Sequence, residues 1–308
     1  MPTQDQSRIS FYNQISSNKW KSVLLMFIVF LVLIALGAII GFAVQNLYGP
    51  GFFFMILIAS IVISILYIWM SYYYSADLAL ASVKAKPADP RQYREFHNTV
   101  EGLTLASGMP KPKLYVMEDP NINAFASGRD PKHAVICVTT GSLEKLNKQE
   151  LEGVLAHELS HIANYDIRFM TLVAIMVGMI AIISEIFLRS LWFGGGKGNS
   201  DDNKGNAILI IIGIILAILA PIVVQLVQLA ISRKREYIAD ASAVKFIRSP
   251  TGLIGALKKI KGETSKPPEK INKAVAPLFI GDPFKRNMDN FFSTHPPLEK
   301  RIALLERM

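Results

Sequence analysis

The chemistry legible in this chain rests on a few imidazoles and carboxylates. His157-Glu158-Leu159-Ser160-His161 spells HExxH. On a helix, residues four apart share one face, so His157 and His161 can offer two nitrogens to one metal ion. Glu158 lies beside that face, where a carboxylate can take a proton from water activated by the metal. A second acidic group stands far off in sequence, in Glu236-Tyr237-Ile238-Ala239-Asp240. Whether it reaches the histidines depends on the elements that carry the two motifs.

The first motif sits in a helix-like run over residues 146–165. Asn147 with Glu150 three residues on gives a capping-box start, and Leu151, Val154, Leu155 and Ile162 form an apolar face at helical spacing. The chain as a whole is 308 residues long and 51% hydrophobic, more apolar than a soluble protein of this size needs to be. The excess is concentrated in four runs, at about residues 23–44, 52–74, 169–193 and 207–231. Each is long enough to cross a hydrocarbon core as a helix, which takes about 20 residues. The first is too long for a removable signal peptide and lacks a small-residue cleavage site. These features predict an integral membrane protein.

The link over residues 45–51 carries no charge and allows only a tight return, so the first two spans form a hairpin. Lys84, Lys86, Arg91 and Arg94 follow the second span, and Ser232-Arg233-Lys234-Arg235 follows the fourth. The excess of basic residues predicts that both termini and both long polar parts are cytoplasmic. The net charge of +9 is read as contact with the membrane surface, because no aromatic-basic motif points to nucleic acid. One cysteine, Cys137, excludes an internal disulfide and a cysteine-based zinc site.

The expected fold is mainly α: a four-helix transmembrane protein with a cytoplasmic α+β domain. Residues 1–74 supply an amino-terminal segment and the first hairpin, and residues 169–231 the second hairpin. Residues 75–168 and 232–308 make up the two parts of the cytoplasmic domain. In it, a helix is expected over 92–106, ended by Pro110 and Pro112, with short strands at 114–117, 123–128 and 134–139. A single helical run is expected from Asp240 to about Lys261, then a Lys/Pro-rich loop over 266–276. A last amphipathic helix carries Leu298, Ile302 and Leu305 after Thr294-His295-Pro296-Pro297. His97 and His133 have no partner at ligand spacing and are read as surface or local packing. Glu185 and Arg189, four apart in the third span, are read as an ion pair.

Span geometry links the two motifs. If the helices run on past the membrane, His161 lies about 12 Å, and Glu236 about 8 Å, beyond the same membrane face. Two half-sites at similar height can then share one ion.

HELSH followed by Asn164 and Asp166, then SRKREYIAD after a fourth span, then THPPLEKRI, resembles the HtpX family of bacterial membrane zinc proteases. The CAAX prenyl proteases are more distantly similar. The resemblance covers nearly the whole chain. It implies a gluzincin-like core with one zinc ion held by His157, His161 and Glu236, and Glu158 as the general base. It also implies a bacterial cell-membrane location and cleavage of misfolded or damaged membrane proteins on the cytoplasmic side. Asn123, Ala124, Phe125 and Ala126 resemble the family's edge strand, where a peptide would bind by strand addition. Asp240, one turn beyond Glu236, is placed to orient a ligand histidine through its second ring nitrogen. His295 is expected to reach the cleft and donate a hydrogen bond to the forming oxyanion.

Two other classes share these residues. A prenyl-protein endoprotease should need more than four spans to enclose a lipidated tail. A non-catalytic membrane scaffold with a structural metal would need a fourth protein ligand, for which His295 is the candidate.

Overall fold

The computed structural model describes residues 11–176, 233–263, 278–280 and 296–308. Residues 177–232, the whole loop at 266–276 and His295 lie outside them, as do the Glu185/Arg189 pair, the third expected span beyond residue 176 and all of the fourth.

Helices α1 (Phe11–Tyr48) and α2 (Gly51–Tyr73) form the first hairpin. Both are long and apolar enough to cross a membrane, over Ile15–Phe42 and Gly51–Tyr73. Only 11% and 6% of their most apolar windows are buried, so Phe27, Phe42, Phe54, Ile58 and Leu66 face outward. Such a surface is stable against lipid and not against water. The two backbones approach closely where Gly37 meets Ser60 and Gly41 meets Phe53, small residues serving as contact points. Trp20 near the start of α1 and Trp69, Tyr73 and Tyr74 at the end of α2 are exposed at the same end of the hairpin. Aromatic rings gathered at one end of such a hairpin suit the level of lipid headgroups. One difference from expectation is instructive: α1 begins at Phe11, far ahead of its apolar run. Its first turns bury Asn18 and Ser22, and Asn18 hydrogen-bonds Asn164 and Asp166 of the polar domain.

The chain turns at Tyr74 into α3 (Ser75–Ser82), then β1 (Lys86–Pro87), neither of which the sequence pattern announced. Helix α4 (Arg94–Ser107) ends at Gly108, before either proline, because Gly108 adopts φ 70° and closes the last turn onto Thr104 O. Strands β2 (Lys113–Met117), β3 (Ala124–Gly128) and β4 (Ala134–Thr139) complete a four-stranded sheet in the order β1-β2-β4-β3. β2 and β4 are parallel, and β3 runs antiparallel to β4. Successive side chains point to opposite faces, so Ala124, Ala126, Ile136 and Val138 enter one core while Phe125, Val135 and Cys137 enter a second. A strand buried on both faces reads as a continuous apolar run, which is what Ala134–Thr139 is.

After α5 (Thr140–Lys145) comes α6 (Lys148–Ala163), then helical residues 166–176, called α7. The helical run expected from Asp240 onward is two helices, α8 (Arg233–Ile247) and α9 (Thr251–Gly262). Arg248 at φ 54° and the following Pro250 break it. Helix α10 (Leu298–Leu305) closes the chain. The first core lies between the sheet and α4, α6, α9 and α10; the second lies on the sheet's other face, against α3 and α7. A third joins α1 to α7 through Leu25, Phe169, Leu172, Val173 and Met176.

Candidate active site

Helix α6 is registered by its capping box: Glu150 N donates to Asn147 Oδ1 at 2.9 Å, and Asn147 N donates to Glu150 Oε2 at 2.8 Å. Leu151, Val154, Leu155, Leu159 and Ile162 then pack into the core, and the HExxH falls in the last turns with both imidazoles toward α8. His157 Nε2 and His161 Nε2 lie 3.2 Å apart. Glu236, in the first turn of α8, brings Oε1 to 3.6 Å from His161 Nε2 and Oε2 to 3.7 Å from His157 Nε2. One donor atom from each of the three lies within 4.8 Å of the others, and all three residues are buried.

These residues fit a small tetrahedral cation. Two nitrogens about 2.05 Å from such an ion are about 3.3 Å apart, close to the observed spacing. The opposite ring nitrogens fit as well. His157 Nδ1 is 2.9 Å from Asp240 Oδ1, and His161 Nδ1 is 3.0 Å from Asp166 Oδ2. Ionised carboxylates only accept hydrogen bonds, so each Nδ1 carries a proton, and each Nε2 is the atom left facing the centre, where it can bind an ion once it is itself unprotonated.

The two imidazoles sit in different fields. Burial and the nearby Arg301 guanidinium push His157 down to about 4, even though Asp240 favours its charged form. Burial also works against charge on His161, but Asp166 and Glu236 outweigh it and raise that group to about 9. Burial alone would raise Asp240; Arg301 and His157 hold it instead at about 2. Glu158 is buried beside His157 and lies within electrostatic range of His161 and Arg301.

Arg301, Asp166 and Asn18 belong to this assembly and were not assigned a role from the sequence. Arg301 is fully buried on α10 and grips Asp240 through Nη2 at 2.6 Å and Nε at 2.9 Å. A signal was available: Arg301 stands at the helical spacing of Leu298, Ile302 and Leu305, a charge inside an apolar stripe. The expected histidine outliers stay local, His97 on Ala88 O at 3.0 Å and His133 on Asp130 at 2.8 Å.

The segment expected to bind substrate, Asn123 to Ala126, is buried, and its strand β3 lies at the sheet's end. Its outer edge is partly taken by the chain itself. Phe279 bridges Phe125, and Ile280 N donates to Ala124 O at 3.0 Å.

A sequence model of peptidase family M48 matches residues 90–308. A protease HtpX homolog of Caldanaerobacter subterraneus subsp. tengcongensis is 50% identical over 246 residues, 79% of this chain and 82% of that one. A protease HtpX homolog of Thermoanaerobacter pseudethanolicus is 44% identical over 304 residues, 98% of this chain and 99% of that one. The chain belongs to the HtpX family of M48 peptidases. It is a membrane metalloprotease, and His157, His161 and Glu236 are a cluster able to hold the metal. The crystal structure of S. mikatae Ste24p is more loosely similar, with TM-score 0.45 and 19% identity over 95% of this M48 chain and 66% of that one.

Proposed function

We propose that this M48 protein is a zinc endopeptidase with a gluzincin-like site, cleaving misfolded or damaged membrane proteins on the cytoplasmic side of a bacterial cell membrane. The observation that carries the reading is the convergence of two Nε2 atoms and one carboxylate from α6 and α8, each imidazole backed by its own aspartate. Two imidazoles and one carboxylate leave a fourth position open, the pattern of a hydrolytic rather than a closed structural site. Bound there, zinc supplies a Lewis acid and lowers the pKa of water. The residues do the rest. His157, His161 and Glu236 hold the ion, while Asp240 and Asp166 fix the ring tautomers. Glu158 takes a proton from the attacking water and returns it to the leaving amine.

The peptide lies along Asn123, Ala124, Phe125 and Ala126 by strand addition, its amide taking the place of Ile280 N at Ala124 O. His295, adjacent in sequence to the buried Pro296, donates to the oxyanion. The membrane part has four spans, the second hairpin being residues 169–231, with both termini and residues 75–168 and 232–308 cytoplasmic. The basic stretches beside the spans support that orientation.

The test is Glu158→Gln in the full-length protein. The amide keeps the shape and loses the base, so zinc content should equal the parent's while hydrolysis of an unfolded polypeptide falls to background. A near-parental rate would place the general base elsewhere.

A further inference from the structure

The turn that aims Asp166 at His161 is held from outside the soluble domain. Between α6 and α7 the chain passes through Asn164 and Tyr165, and Tyr165 adopts φ 58°, a left-handed conformation unusual for an aromatic residue. Such a turn persists when its surroundings over-determine it. Here the first turns of α1 do so. Lys19 Nζ sits 4.3 Å from the centre of the Tyr165 ring, which also carries the Arg168 guanidinium at 5.2 Å. Asn18 Nδ2 donates to Asn164 O at 3.0 Å and to Asp166 Oδ1 at 2.6 Å. An amide NH2 has two protons, and these two acceptors use both. Asn18 and Asp166 are buried, so water is not at hand to replace the bonds.

Asp166 is thereby gripped at both oxygens, by Asn18 at Oδ1 and by His161 Nδ1 at Oδ2. The buried Arg235 guanidinium also attracts it electrostatically. Without the bond at Oδ1, the carboxylate can rotate toward Arg235, and His161 loses the acceptor that fixes its ring. We propose that Asn18 is a positioning residue of the peptidase site: acting through Asp166, it holds His161 ready for the metal, so that the first membrane helix is part of the site it anchors. The inference rests on the zinc reading above. The packing of Leu25 on α1 with Phe169 and Leu172 on α7 continues the same contact toward the membrane.

The experiment measures zinc release to a chelator from the full-length protein in lipid nanodiscs. Loss of a partner behind a metal-ligating histidine typically costs about 10–100-fold in affinity. Asn18→Leu should release zinc about tenfold faster than the parent. Asp166→Asn should also release it faster, and the double variant should be no worse than Asp166→Asn alone, because the two act through one bond. Leu25→Ala, which loosens α1 without touching Asn18, should lower the melting temperature and leave zinc release unchanged. If Asn18→Leu fails to insert, Asn18→Ser keeps a small polar group too short to reach Asp166 and carries the same expectation. Parental zinc release in the Asn18 variants, or additive effects with Asp166→Asn, overturns the proposal. A parent that binds no zinc overturns the zinc reading itself, which is a separate result.

Discussion

Arg301 and Asp240, 61 residues apart in sequence, meet as a buried bidentate pair directly behind His157. The guanidinium fork matches the carboxylate, and Asp240 Oδ1 also accepts from His157 Nδ1. Arg301 thus does for Asp240 what Asn18 does for Asp166. A buried ion pair is costly to break from one side, because the remaining charge is left without compensation.

Arg301→Met should therefore destabilise the fold by about 3–5 kcal/mol and weaken zinc retention, read by thermal unfolding and metal content. The pH dependence has a definite sign. Asp240 is held at about 2, below its unfolded value near 3.8. Its contribution is present above about pH 4 and is lost as pH falls through 2. Acid titration of stability between pH 4 and 2 should be shallower in Asp240→Asn than in the parent. Equal slopes would remove the pair from the stability of the fold.

The crossing of α6 and α9 is tight enough to exclude a methyl group. A Cβ at Gly153 would lie 2.4 Å from Leu253 N, and one at Gly252 would lie 2.1 Å from Gln149 O. Backbone atoms cannot yield as a side chain can, so Gly153→Ala should cost about 1–3 kcal/mol through forced separation of the helices. Gly102 in α4 meets nothing within 4 Å. Gly102→Ala should stabilise the protein by up to about 1 kcal/mol, the ordinary helix preference. Melting temperatures moving in opposite directions would check both.

The orientation proposed above can be read with thiol chemistry. The native Cys137 is fully buried, and burial pushes its thiol far up, so it should stay silent. A cysteine placed within residues 194–206 should react with an impermeant reagent in intact cells, whereas one at residues 266–268 should not. The reverse pattern would invert the topology.

Much of this molecule is local, and local features are what a sequence displays. The Asn147/Glu150 box, the HExxH face and the continuous apolar run of β4 each depend on neighbours within a few residues, and all were legible before any coordinates. Boundaries were less so: a left-handed Gly108 ends α4 ahead of the prolines, and Arg248 with Pro250 splits a helical run that periodicity alone joins. Glu236 was expected near the histidines from spans used as rulers of known rise, and it does lie beside them. The unbroken helix that estimate assumed, however, ends at Asn164 and Tyr165, where the chain turns between α6 and α7. The sequence determined by itself which residues can do the chemistry and roughly where each stands along its helix. Only the tertiary structure decided what holds them there. Asn18 lies 148 residues from Asp166, and Arg301 lies 144 from His157. Hydrophobic periodicity states which face of a helix is buried and says nothing of its partner. A buried amide or guanidinium is stable only where a matching acceptor arrives from elsewhere in the chain.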